Sequence, residues 1–182
     1  AYDQTTQYQT GKIWSPGHRT YVAGFDYGNN GQYLYLSSNY PSDKIYRYTL
    51  NTAYDISTAN MHPDSWQTLD INSVEQSNYS VTVKPDGTKL YHTGRSGDDI
   101  NEWTLSTAWD LTSATHDGQT TLGGATTAWQ HRWSSDGSKL YLINETGDLF
   151  KTYSLTTAWD SSTIGTPTDY AITSLDNAPR AF

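Results

Sequence analysis

Five histidines, His18, His62, His92, His116 and His131, are the side chains best suited to bind a metal or move a proton near neutral pH. A zinc-binding helix would need two of them in an H-x-x-x-H or HExxH arrangement, and no such pair occurs. They are read as structural or surface residues. Asp86 and Asp136 each precede a glycine, as calcium-loop carboxylates do, but the D-x-D-x-D-G run and closing glutamate are missing, which leaves a turn-forming role. Asp98-Asp99 has the composition of a glycosidase carboxylate pair, yet it sits in the polar stretch GRSGDD and reads as a solvated connection between strands. There is no G-x-S-x-G, no cysteine, and no phosphate cradle, Gly123-Gly124 reading as a bend. The chain is therefore expected to have no catalytic residue, no metal site and no cofactor, and not to be an enzyme.

Composition narrows the partners. Lys and Arg total 11 against 19 Asp and Glu, a formal net charge of −8 with no basic run, which argues against nucleic acid and against an anionic membrane surface. No stretch approaches the roughly 20 apolar residues of a spanning helix, so membrane insertion is not expected. Fifteen tyrosines and seven tryptophans, with one methionine, make the apolar mass ring-rich, which suits strands better than helices.

The elements that would position any site come from an internal repeat. NNGQYLY ending at Tyr35, PDGTKLY ending at Tyr91 and SDGSKLY ending at Tyr141 are one segment met three times, and TAYD at Tyr54 with TAWD at Trp109 and Trp159 is a second marker in step with it. Within a unit, Tyr79 to Lys84 alternates as a strand, Asp86-Gly87 turns the chain, Thr88 to His92 and Ile100 to Leu105 are further strands, and a fourth follows Trp109. Asn30-Gly31 is expected to make the same turn in the first unit. Leu34, Leu90 and Leu140 point one way and Tyr35, Tyr91 and Tyr141 the other, so both faces carry bulk, as a sheet packed between two neighbours requires. The fold class is all-β: four-stranded antiparallel β-propeller blades, about three complete, with partial blades at both ends.

The pattern S/P-D-G-S/T-K-L-Y, then a Gly-Asp loop, then W/Y-T/S-L-x-T-A-W-D resembles the tandem propeller repeat of phage and marine bacterial surface proteins. It is distantly similar to YVTN/lactonase-like propellers, although Leu36, His92 and Leu142 stand where that branch has its Val-Thr-Asn. The register of the repeat, with Ala1-Tyr2-Asp3 in step with TAYD and Arg180-Ala181-Phe182 in step with His131-Arg132-Trp133, implies a single propeller segment over 1–182: an orphan outer strand at 1–16, blades at 17–72, 73–123 and 124–173, and the start of another at 174–182. The chain is expected to be a non-enzymatic structural or adhesive protein of an extracellular, cell-surface or virion setting, with self-association or further blades of a longer chain as partners; the alternatives are a purely structural fibre or ring element assembled by blade-to-blade contacts, and a fragment of a lactonase-like propeller enzyme.

Variable loops on a rigid scaffold are where binding residues gather. Tyr40, Arg95 and Asn144 in the connections between second and third strands, with His62 and Trp66 in the lengthened segment after Tyr54, are the candidate ligand-binding residues for a cell-surface glycan or protein. Trp66 is weighed against an outer-strand packing role, which is favoured.

Overall fold

The protein is described from a computed structural model, covering residues 22–39, 42–60, 65–123 and 127–172. Twelve strands run in chain order: β1 (Val22–Gly28), β2 (Tyr33–Ser38), β3 (Lys44–Thr49), β4 (Gln67–Asp70), β5 (Asn78–Val83), β6 (Lys89–Gly94), β7 (Asp99–Leu105), β8 (Ala114–Thr121), β9 (Ala128–Trp133), β10 (Lys139–Asn144), β11 (Leu149–Ser154) and β12 (Thr168–Ala171). They form three four-stranded sheets in sequential order, every neighbouring pair antiparallel. These are propeller blades. The first strands of consecutive blades pack directly on one another and form the inner edge. Among the described residues there is no α-helix and no helix long and apolar enough to cross a membrane.

The two sequence markers meet in space. Gly31, Gly87 and Gly137 close the turn from first to second strand at φ of +83°, +75° and +72°. Their carbonyls accept the N–H of Tyr54, Trp109 and Trp159 at 2.9, 2.9 and 3.0 Å. Those aromatics themselves sit at φ of +62°, +69° and +62°, a conformation costly for a bulky residue. Only glycine leaves room for the ring above it: a Cβ on Gly87 would lie 2.3 Å from the Trp109 indole. The aspartate that follows caps a short 3₁₀ turn at Ile56–Thr58, Leu111–Ser113 or Ser161–Thr163, Asp110 accepting from the Thr112 N–H at 2.9 Å.

One turn departs from its expectation. In the second and third blades glycine alone has positive φ, whereas Asn29 and Asn30 join Gly31 at +49° and +52°. Asn29 and Asn30, the two central residues of the turn that the Gly31 N–H closes on the Gly28 carbonyl at 3.0 Å, therefore give it the opposite hand. Asparagine tolerates that region, while the ring of Pro85 at the matching place in the second blade forbids it.

Blade packing follows the two-faced second strand. Tyr35 and Ile45 of the first blade share a core with Val81, Val83, Leu90, Trp103 and Leu111 of the second. Tyr91 and Ile100 repeat the arrangement against Ala128, Leu140, Leu142 and Tyr153 of the third. Two hydroxyls cross these joints: Tyr35 Oη donates to the Trp109 carbonyl at 2.9 Å and Tyr91 Oη to that of Trp159 at 2.6 Å. The repeated aromatics after the third strand are not equally buried. Trp109 and Trp159 are half-buried, but Tyr54 is 62 % exposed, its ring resting on Gly31 and Tyr27 of its own blade.

Candidate functional site

Each inner strand carries a β-bulge at the same register. Val22 pairs Ser38 and Gly24 pairs Ser37, so Ala23 is left over; Tyr79 and Trp129 are left over in the same way in β5 and β9. A bulge re-aims the extra residue out of the alternation and recurs beside functional sites. Here it brings Tyr79 and Trp129, from neighbouring blades, into a stack with ring centroids 4.0 Å apart and planes at 33°. Both rings are half-buried. The first blade makes room for its neighbour's bulge with Gly24, where a Cβ would come within 2.6 Å of the Tyr79 carbonyl.

The connections between second and third strands fold over this end of the inner strands. Arg95 N–H donates to the Ser77 carbonyl at 3.1 Å, and Glu145 N–H to the Thr127 carbonyl at 3.3 Å, so these two side chains occupy the same station in consecutive blades. Glu145 Oε2 accepts the Trp129 indole N–H at 2.6 Å, which fixes the ring. Arg95 is exposed. The face thus presents two packed, tilted rings with Glu145 bonded to one of them and the exposed Arg95 at the equivalent loop station of the neighbouring blade, an arrangement able to pack on an apolar ring face while exchanging hydrogen bonds at its rim.

Beneath it, between the first and second blades, lie Glu75, Asp43 and Asp99, all buried. Gly94 leaves the space that Glu75 fills, a Cβ there falling 2.4 Å from its carboxyl carbon. Burial pushes the Glu75 carboxyl up to about 7, with Asp99 and Asp43 adding to the rise against a hydrogen bond from the Ser96 N–H at 3.0 Å. Asp43 Oδ1 accepts the Asn78 N–H at 2.9 Å, tying the first blade to the start of the second. Among the described residues no group of three or more such side chains is disposed to hold a metal ion.

The three sequence candidates among the described residues, Trp66, Arg95 and Asn144, do not converge. Tyr40 and His62 lie outside the described residues, as does His18. Arg95 stands at the platform. Asn144 is at the same end but fully buried, its amide accepting from the Thr127 N–H at 3.2 Å and donating to the Thr146 carbonyl at 2.8 Å, so it shapes the loop from inside. Trp66 precedes β4 at the opposite end of the blade and packs on Tyr46 and Tyr48 at 5.7 and 5.5 Å, the outer-strand packing role. The lengthened segment is placed there too. Ile71, Leu122 and Ile172 are equivalent, each donating to the carbonyl before a third strand, and the extra residues of the first blade fall mostly between Tyr54 and Ile71.

Asp98-Asp99 is corrected. Asp99 begins β7 and is 2 % exposed, accepting from Asn101 Nδ2 at 2.8 Å, with burial raising its carboxyl. Of the histidines, His131 is held between Thr82 and Thr93 hydroxyls at 2.8 and 3.1 Å, His116 contacts Asn101 at 3.0 Å, and His92 is buried beside Trp103. Tyr79, Trp129 and Glu145 escaped sequence reading as site residues. Their signal was positional: two large aromatics at one register of consecutive inner strands, each matched to a charged loop residue.

No protein-family model matches the chain, and no match was found among curated proteins. Solved structures do match in fold. A periplasmic gluconolactonase from Pseudomonas aeruginosa aligns at TM-score 0.58 and 15 % identity, over 90 % of this chain and 44 % of its own. A Lactobacillus plantarum protein aligns at 0.58 and 17 %, over 84 % and 42 %. The β-propeller domain of a Myceliophteria thermophila protein aligns at 0.54 and 9 %, over 82 % and 43 %. The chain thus spans about two fifths of the length of these propellers. What they share with it is the propeller fold.

Proposed function

We propose that this protein is a non-enzymatic recognition scaffold of an extracellular, cell-surface or virion setting, whose propeller blades hold a saccharide-binding face at the connections between second and third strands. The observation that carries this reading is the stacked Tyr79–Trp129 pair, half-buried and pinned by Glu145, with Arg95 at the equivalent station. The exposed part of this half-buried pair offers an apolar patch on which the C–H face of a sugar ring can pack, and the carboxylate and guanidinium supply acceptor and donor for its hydroxyls. Rings with few rotatable bonds lose little entropy on binding. The net charge of −8 disfavours the other common partner of stacked aromatics, single-stranded nucleic acid.

The test is retention of the protein on surfaces bearing defined saccharides, competed by the free sugar, with the sugar recovered unchanged. Because the fold is shared with a gluconolactonase, gluconolactone belongs in the same experiment. Hydrolysis above the spontaneous rate, or indifference to every saccharide, would overturn the reading.

A further inference from the structure

The two internal blade joints are built alike, and the outer faces of the first and third blades carry the two halves of a third joint. Three features define it. The strand-two tyrosine donates its hydroxyl to the carbonyl of the left-handed aromatic in the next blade, as Tyr35 does to Trp109 and Tyr91 to Trp159. Its ring packs on the end of the next blade's first strand, Tyr91 lying 4.5 Å from Trp133 and 6.4 Å from Trp159, while Tyr35 shares a core with Val83 at the place of Trp133. The first residue of the 3₁₀ turn is then buried against the preceding blade: Leu111 is 1 % exposed with its N–H on Gln67 Oε1 at 2.8 Å, and Ser161 is 3 % exposed with its N–H on Glu102 Oε2 at 2.8 Å.

The first blade has the receiving half in place. Tyr27 and Tyr54 lie 5.3 Å apart, the same separation as Trp133 and Trp159, and Tyr54 holds the same left-handed backbone. Yet Tyr54 is 62 % exposed, and Ile56, at the place of Leu111 and Ser161, is 45 % exposed. The third blade has the donating half: Tyr141 stands where Tyr35 and Tyr91 are fully buried, but is only half-buried. At the joint's variable position Arg47 and Glu102 are followed by Thr152, a neutral side chain that can face the apolar Ile56 without stranding a charge.

We infer that the occupant of these faces is a second copy of this chain, docked head to tail, with Tyr141 of one copy donating to the Tyr54 carbonyl of the other and Ile56 buried beside Thr152. Such a contact is heterologous and can close when repeated.

The experiment is the mass of the 182-residue chain in solution from about 1 μM to about 1 mM, by light scattering or sedimentation. A concentration-dependent rise to two copies is expected. Ile56→Glu should weaken association more than about 10-fold by burying an unpaired charge, and Tyr141→Phe about 5-fold by removing the donor. Both side chains stand at the outer faces, so each variant should keep the parent's melting temperature at low concentration. A single-copy mass throughout would overturn the inference. So would a dimer that neither substitution weakens.

Discussion

Tyr35 and Trp109 are joined across two blades by a hydroxyl-to-carbonyl hydrogen bond of 2.9 Å, and Arg47 Nη1 reaches the same carbonyl at 2.8 Å. That carbonyl is turned toward the neighbouring blade because Trp109 occupies the left-handed region, and Trp109 can do so because Gly87 lies under its ring. The strain of one residue is thus converted into the register of a joint.

Tyr35→Phe should cost about 1 kcal/mol in chemical denaturation, the worth of one hydrogen bond with the acceptor still served by Arg47. Gly87→Ala should cost about 2 kcal/mol or more, since the added methyl meets the indole and the backbone stays at positive φ. An alanine variant as stable as the parent would break the link between the two markers.

His92→Leu should stabilise the protein by about 1 to 2 kcal/mol. Both ring nitrogens of His92 are buried without a partner among the described residues, and Leu36 and Leu142 fill the same register in the other blades. Burial, helped by His116, lowers the His92 pKa to about 3. A depressed histidine contributes stability above pH 6.5 that is lost as pH falls toward its folded value. The variant should therefore also flatten the acid limb of a stability profile, read as melting temperature from pH 7 to 4.

Glu75 acts in the other direction. Its folded pKa of about 7 lies above the usual 4.5, so its contribution is full below pH 4.5 and is lost as pH rises through 7. Glu75→Gln should match the parent near pH 4 and exceed it at pH 8 by up to about 3 kcal/mol. Equal gains at both pH values would show that the carboxyl is not the titrating group.

The blades were legible from the sequence because Asp-Gly and Thr-Ala-Trp-Asp recur in step, and the contact between Gly87 and Trp109 explains why they must. The two-faced strands were legible from Leu90 and Tyr91. The platform was not, because a bulge leaves the alternation around Tyr79 and Trp129 looking like ordinary strand. Nor could composition reveal that Asp99 is buried and Asn144 is enclosed, while Arg95 remains at the surface. Those differences are set by which loop the neighbouring blade covers.

The most direct test is a saccharide array probed in parallel with the parent protein and Trp129→Ala. Both should melt within a few degrees of each other, since the ring is half-buried at a bulge. The parent should be retained by a defined subset of sugars, and the variant should lose that retention by about 10-fold or more, the worth of one stacked ring. Retention unchanged by the substitution would contradict a saccharide face built on Tyr79 and Trp129.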